Sequence, residues 1–351
     1  MITKLTKEEI IQMLQSTGDE RTALFERSAK IKEETVGNLV YLRGLIEFSN
    51  YCSKDCFYCG IRKSNRNTER YNISDEEIVE AAKFAYENKY GSIVLQSGEL
   101  KSPAFTKRIT NLIKLIHQET DPRLRITLSC GEQTKETYQE WFDAGAKRFL
   151  LRIESSNPDL YLKMHPQNKL HSFEERVKCI EYLQEVGYQT GTGVMIGLPF
   201  QTLEDLANDL LWMQSRNIDM VGMGPYLIHN DTPLLQYQDQ LLPELERFDL
   251  ALKMIAILRI MMPEINIAAS TAMQSIDKMG REKAIKVGAN VFMPNITPRE
   301  FRDSYKLYDN KPCTDENAAD CQNCIEARIF LTNNKIAYDT GGDSLHYQHR
   351  D

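Results

Sequence analysis

Glu47-Phe48-Ser49-Asn50-Tyr51-Cys52-Ser53-Lys54-Asp55-Cys56-Phe57-Tyr58-Cys59-Gly60 sets three cysteines within eight residues, at the spacing C-x3-C-x2-C. The apolar-rich run before it, 39–48, predicts a buried strand. Three thiolates just past a strand end can ligate three irons of a four-iron cluster and leave the fourth iron without a protein ligand. An open metal position is where chemistry happens, so this loop is the candidate reactive centre. The alternative is a three-cysteine zinc site, but zinc favours four closed ligands, commonly in paired C-x2-C halves.

The residues that follow predict a repeating strand–helix unit. Further strands are expected at 92–96, 125–129, 148–153, 188–195, 220–223, 265–269 and 290–293. Helices are expected at 74–88, 103–119, 135–144, 172–186, 202–216, 243–261 and 281–287. Ser74 with Glu77, and Ser172 with Glu175, have capping-box spacing. Gly145, Gly187 and Gly288 each sit where a helix must stop just before a strand. Eight strands in such units close into a complete (β/α)8 TIM-type barrel, an α/β fold whose active site lies at the C-terminal strand ends. Residues 1–38 form an expected N-terminal helical extension, 39–300 the barrel, and 301–351 a C-terminal segment.

Composition agrees with one large α/β unit. The chain has 351 residues, 42% hydrophobic and 26% charged, with a net charge of −7. That balance, with no long basic run, argues against nucleic acid or an anionic membrane as partner. The N-terminus reads as a capped amphipathic helix rather than a signal peptide, and no apolar run is long enough to span a bilayer. The expectation is a cytoplasmic protein. Of eight cysteines, six fall into two tight groups, and the lone Cys130 and Cys179 are expected to be ordinary buried thiols.

The strand ends carry a polar, glycine-rich set: Gln96-Ser97-Gly98-Glu99, Ser129-Cys130, Arg152 and Glu154, Gly193 to Pro199, Gly222 to Tyr226, Ser270 to Met273, and Pro294-Asn295. With Tyr58 before its third cysteine, the C-x3-C-x-aromatic-C loop resembles the signature of the radical S-adenosylmethionine (SAM) enzymes. The resemblance implies a [4Fe–4S] cluster on Cys52, Cys56 and Cys59, with SAM on its open iron. Ser97-Gly98-Glu99 is similar to the family's Gly-Gly-Glu motif, which receives the ligand's ammonium. Gly193-x-Met195-x-Gly197 is similar to its adenine-facing glycine segment. Glu154 and Arg176 match ribose and carboxylate contacts, with Tyr58, Gln96 and Ser129 completing the ligand set. The alternative for Glu154 is the ion-pair partner of Arg152, two residues away on one strand. For Arg176 it is a solvated helix charge.

The second group, Cys313, Cys321 and Cys324, resembles the auxiliary iron–sulfur site of [FeFe]-hydrogenase maturases of the HydE type. It implies a second cluster, [2Fe–2S] or [4Fe–4S], completed by a non-protein ligand. The likeness extends over about residues 40–330, through Val94 to Glu99, Asp219 to Pro225, Thr271-Ala272-Met273 and Met293-Pro294-Asn295. Ile153-Glu154-Ser155-Ser156 departs from it where a His-Glu-Thr-like run is expected. The implied substrate is an organometallic precursor, an iron-bound cysteine carrying carbonyl and cyanide ligands. Other hydrogenase maturation proteins and a reductant such as ferredoxin or flavodoxin are the implied partners. Candidate substrate contacts are Arg152, Ser270, Thr271 and Tyr308, with Met223 as a soft apolar wall. Ser270 and Thr271 read equally as an N-cap pair, and Tyr308 as packing. His229, with no second His or Cys nearby in sequence, is expected to be surface or structural. A radical SAM enzyme acting on a small organic substrate, as in methylornithine synthase or biotin synthase, is the alternative, and a non-enzymatic cluster carrier a more distant one.

Overall fold

The structure, a computed structural model, describes residues 3–312 and 325–350. Its strands are β1 (Leu39–Ser49), β2 (Ser92–Ser97), β3 (Arg125–Ser129), β4 (Arg148–Leu150), β5 (Gln189–Thr192), β6 (Met195–Ile196), β7 (Met220–Pro225), β8 (Asn266–Ala269), β9 (Val291–Phe292) and β10 (Lys335–Ile336). Eight of them close a parallel ring in the order β1-β2-β3-β4-β5-β7-β8-β9, sealed where Tyr41 and Leu42 pair with Val291 and Phe292. Short β6 continues the fifth spoke against β7, and β10 joins the start of β1. The expected complete (β/α)8 barrel is therefore the observed fold.

The ring strands are buried on both faces, because helices cover the outside. On β1, Ile46 and Phe48 enter the core between ring and helices, while Leu45 and Glu47 line an internal cavity. Local signals set the helix ends. The Ser74 hydroxyl accepts from Glu77 N at 3.3 Å, and Glu77 returns a bond to Ser74 N at 3.0 Å. The second expected box is only half made: Ser172 accepts from Glu175 N at 3.1 Å but donates to Glu174 instead. Gly145, Gly187 and Gly288 all have positive φ at their helix ends, and Gly187 takes the left-handed cap itself.

Two helices, Lys7–Gln15 and Gly18–Thr35, precede the barrel. They lie across the long outer helix Glu244–Met261, which is why that helix is buried on nearly every side. No helix among the described residues is long and apolar enough to cross a membrane.

The fourth strand is shorter than expected. It leaves the ladder after Leu150, and Glu154 then takes φ +64° with a single bridge to Val194. Ser156 anchors this exit through its backbone N–H and hydroxyl, both donating to buried Asp209 at 2.6 Å. The Ser155-Ser156 departure noted in the sequence thus has a local structural use.

The end of the chain does something the sequence did not announce. After β10 it passes under the N-terminal mouth of the barrel. There Asp343 Oδ1 accepts from Arg148 Nη2 at 2.6 Å and Gln189 Nε2 at 3.0 Å, and Asp343 Oδ2 lies 3.3 Å from Arg125. Asn266 Nδ2 donates to Gly342 O at 2.9 Å, and Gln189 Oε1 accepts from Ser344 N at 2.9 Å. One short strap thereby closes the face opposite the cysteine loop.

Candidate active site

The cysteine loop leaves β1 through Asn50, whose amide donates to Glu69 O at 2.7 Å and Ser304 O at 2.6 Å. The Arg70 guanidinium then gathers the carbonyls of Asn50, Ile61, Arg62 and Asn65 at 2.6–3.1 Å. The two ends of the loop are thus tied down by side chains rather than by the thiols. Cys52, Cys56 and Cys59 are free and at least half buried. Burial, reinforced by Cys52, pushes the Cys56 thiol up to about 12. Cys52 Sγ accepts from Glu99 N at 3.3 Å. Among the described residues no three His, Cys, Asp or Glu side chains converge on a single metal ion. Sulfurs that bind separate irons of one cluster need no such convergence, so this donor set fits a cluster better than zinc.

Gly98 sits beneath the loop. A Cβ there would overlap the Tyr51 carbonyl oxygen and press Cys52 Cβ at 2.9 Å. Gly98→Ala should therefore push Cys52 off its position and cut the iron retained per chain several-fold. Metal analysis after anaerobic reconstitution checks this, with a melting curve to show that the barrel persists.

Beside the loop lies a buried charged group that adds Lys54 and Glu132 to the expected Glu99 and Arg176. Lys54 Nζ is 2.7 Å from Glu132 Oε2 and 3.1 Å from Glu99 Oε1. Arg176, inside helix Phe173–Val186, lies 2.7 Å from Glu132 and 3.4 Å from Glu99. Arg176 is thus a buried ion-pair member, not a solvated helix charge.

On its inner side the loop meets a cavity of about 250 Å³. Tyr58 and Cys59 form part of the wall, with Gln96, Arg152, Glu154, Met195, Ser270, Thr271 and Tyr308. Tyr58 is held edge-on to His165, with centroids 5.4 Å apart. His165 Nδ1 faces the Tyr161 carbonyl at 2.8 Å and must carry the proton, so Nε2 accepts the Tyr58 hydroxyl at 3.3 Å. Burial drives His165 down to about 3, which keeps the ring neutral. Four cations, Arg152, Arg281, Lys311 and Arg328, and two carboxylates, Glu47 and Glu154, reach the cavity, and Arg328 is paired behind the wall with buried Glu282. Arg152 meets Glu154 in a two-pronged pair, both contacts 2.8 Å. Lys311 Nζ lies 2.5 and 2.6 Å from the Glu47 oxygens. Arg281 stacks over Phe292 at 4.0 Å.

Residues 46–213 match the family model described as the Radical SAM superfamily. The [FeFe] hydrogenase maturase subunit HydE of Thermotoga maritima is 44% identical over 321 residues, covering 91% of this chain and 88% of that protein. The chain belongs to the HydE family of radical SAM enzymes. Membership implies a [4Fe–4S] cluster and SAM. The crystal structure of methylornithine synthase superposes with a TM-score of 0.80 at 25% identity, covering 96% of this chain and 95% of that one. The maturase HydG from Carboxydothermus hydrogenoformans shares the fold at a TM-score of 0.78 and 20% identity, over 95% of this chain and 76% of that one.

Not every expected radical SAM contact lies on the cavity. Ser97, Gly98, Glu99, Ser129, Arg176 and Gly197 are not on its wall. Glu99 gives its carboxylate to Lys54 and Arg176. The space that Gly197 leaves open by lacking a Cβ is filled by Arg247 of an outer helix. Met223 is a plain correction. The period of two in β7 turns Gly222 and Gly224 to the cavity and Met223 into the outer core, where it is fully buried. Ser270 caps helix Thr271–Ile276, accepting from Ala272 N at 3.3 Å, and lines the cavity as well. His229 is structural rather than on the surface, buried against Gly60. Cys130 and Cys179 are buried core thiols, as expected. Cys313, Cys321 and Cys324 lie outside the described residues.

Proposed function

We propose that this enzyme acts in assembly of the [FeFe]-hydrogenase active site, on an iron-bound cysteine carrying carbonyl and cyanide ligands. The observation that carries the reading is the HydE relative, matched over most of both chains. Cationic side chains on the cavity wall support it, since such a substrate is anionic. Cys52, Cys56 and Cys59 would hold the [4Fe–4S] cluster, which when bound with SAM supplies the electron that cleaves a carbon–sulfur bond and yields the 5′-deoxyadenosyl radical. Tyr58, fixed by His165, presents its ring to the adenine side. Glu154 is the carboxylate on the cavity wall available to ribose hydroxyls, and Arg152 holds it by both oxygens.

Arg152, Ser270, Thr271 and Tyr308 are then the substrate contacts, joined by Arg281 and Lys311, which sequence reading missed. Guanidinium and hydroxyl donors suit cyanide nitrogens. We also assign Cys313, Cys321 and Cys324 to a second iron–sulfur cluster. Pro312 and Ile325, on either side of that segment, both line the cavity. Other maturation proteins, a ferredoxin or flavodoxin reductant and a cytoplasmic setting belong to the same reading.

The test is hydrogenase activation in a defined maturation mixture. Omitting this protein should abolish hydrogen evolution, and adding it back should restore activity in proportion to its cluster content. Activation that proceeds equally without it removes the maturase assignment. Formation of 5′-deoxyadenosine with a small organic substrate would then favour the methylornithine synthase-like alternative, whose fold superposes closely.

A further inference from the structure

We propose that Lys54 is a positioning residue that locks the cysteine loop to three strand-end segments, and that its charge balance with Glu99, Glu132 and Arg176 sets the reduction potential of the cluster. The proposal rests on the reading that Cys52, Cys56 and Cys59 hold a four-iron cluster.

Lys54 lies midway between Cys52 and Cys56, so whatever fixes its side chain fixes the stretch that carries two ligands. Its side chain is only 5% exposed. An ammonium at that depth is stable only when paired. Its three donors meet Glu132 at 2.7 Å, Glu99 at 3.1 Å and the Leu170 carbonyl. These partners come from the segments following β2, β3 and β4, so one ammonium fastens the loop to three neighbours. Asp55 adds a fourth tie, its N–H donating to His171 Nε2 at 2.9 Å. Glu99, in turn, gives its own N–H to Cys52 Sγ at 3.3 Å.

The charges balance, with Lys54 and Arg176 facing Glu99 and Glu132. In a desolvated site each unit charge acts on its neighbours with little screening. Reduction adds an electron to the cluster, and a nearby positive charge favours it. Losing the Lys54 charge should lower the potential, and losing the Glu132 charge should raise it. A residue that only filled space would give no such opposition of sign.

The experiment is a redox titration, followed by electron paramagnetic resonance, of anaerobically reconstituted full-length protein. It is run at about pH 8.5, above the ordinary carboxylate range. Lys54→Met is expected to shift the midpoint negative and Glu132→Gln to shift it positive. The double variant should return toward the parent value, and Lys54→Arg, which keeps the charge, should stay close to it. Iron and sulfide per chain should fall in Lys54→Met and recover in Lys54→Arg. If Lys54→Met retains no cluster, the sign of the Glu132→Gln shift and the retention restored by Lys54→Arg decide the matter. Shifts of equal sign, or a Glu132→Gln midpoint that does not move, overturn the proposal while the cluster reading stands. A parent protein that takes up no four-iron cluster overturns both.

Discussion

Alanine at Cys56 is expected to leave a folded barrel that retains no four-iron cluster and cleaves SAM only at background. The loss should be on the order of 10³-fold or more, the scale seen when one member of a group acting as a unit is removed. Two thiolates cannot hold three irons, and no described cysteine stands ready to replace the third. Cys130 and Cys179 lie in the core with no exposure, Cys130 against Leu95 O at 3.8 Å and Cys179 against Gln133 O at 3.5 Å. The loop should survive the change, because Asn50, Arg70 and Lys54 hold its backbone without help from the thiol. Stability should therefore fall by only about 1 kcal/mol, ordinary for a small buried truncation. Iron and sulfide analysis, 5′-deoxyadenosine yield and a melting curve separate these effects. Cys130→Ser provides the control, with cluster content expected to match the parent. Parent-like deoxyadenosine from Cys56→Ala would show that the loop is not the cluster's holder.

The sequence announced this loop because its chemistry is local: three ligands in eight residues need no fold to be seen. The eight strands were visible for the same reason, since apolar runs and helix stops repeat over short windows. What stayed hidden is non-local. Lys54 meets Glu132 across 78 positions, and Lys311 meets Glu47 across 264. A charge in a strand or loop gives no hint of the partner it will find after the barrel closes. Met223 was misplaced for a different reason. Composition at a strand end says which residues are near the site, but the face depends on the parity of the ladder, set here by Met220 pairing with Asn266. Glu154 shows the limit of motif reading. Its ion pair with Arg152 was one of the readings its two-residue spacing offered, whereas its left-handed backbone comes from tertiary constraint.

The strap beneath the barrel gives the largest expected effect on stability. Asp343→Asn should lower the unfolding free energy by about 3–5 kcal/mol at neutral pH, the usual cost of leaving a buried charge without its partner. Arg148 is the charge in question, its side chain fully buried. Arg43, also buried and within electrostatic range, makes an uncompensated Arg148 worse. Asparagine can still accept a hydrogen bond but brings no negative charge, so the loss is mainly electrostatic. The pH dependence checks that assignment. Burial alone would raise the Asp343 carboxyl, but Arg148, with Arg125 and Gln189, outweighs it and holds the group below its ordinary value. A depressed folded-state value means the stabilisation is fully present above the unfolded carboxylate range, near pH 4, and is lost as pH falls through the folded value. Urea midpoints of parent and variant should therefore differ by a constant amount at neutral pH and converge only below about pH 4. Hydrogen exchange at 340–344 should rise in the variant while the amides of β2 and β3 stay protected, because the ring closes through β1 and β9 without the strap. Equal urea midpoints at pH 7 would mean that Arg148 is neutralised by something other than Asp343. The closed N-terminal face would then owe its stability to the backbone bonds of Gly342 and Ser344 with Asn266 and Gln189.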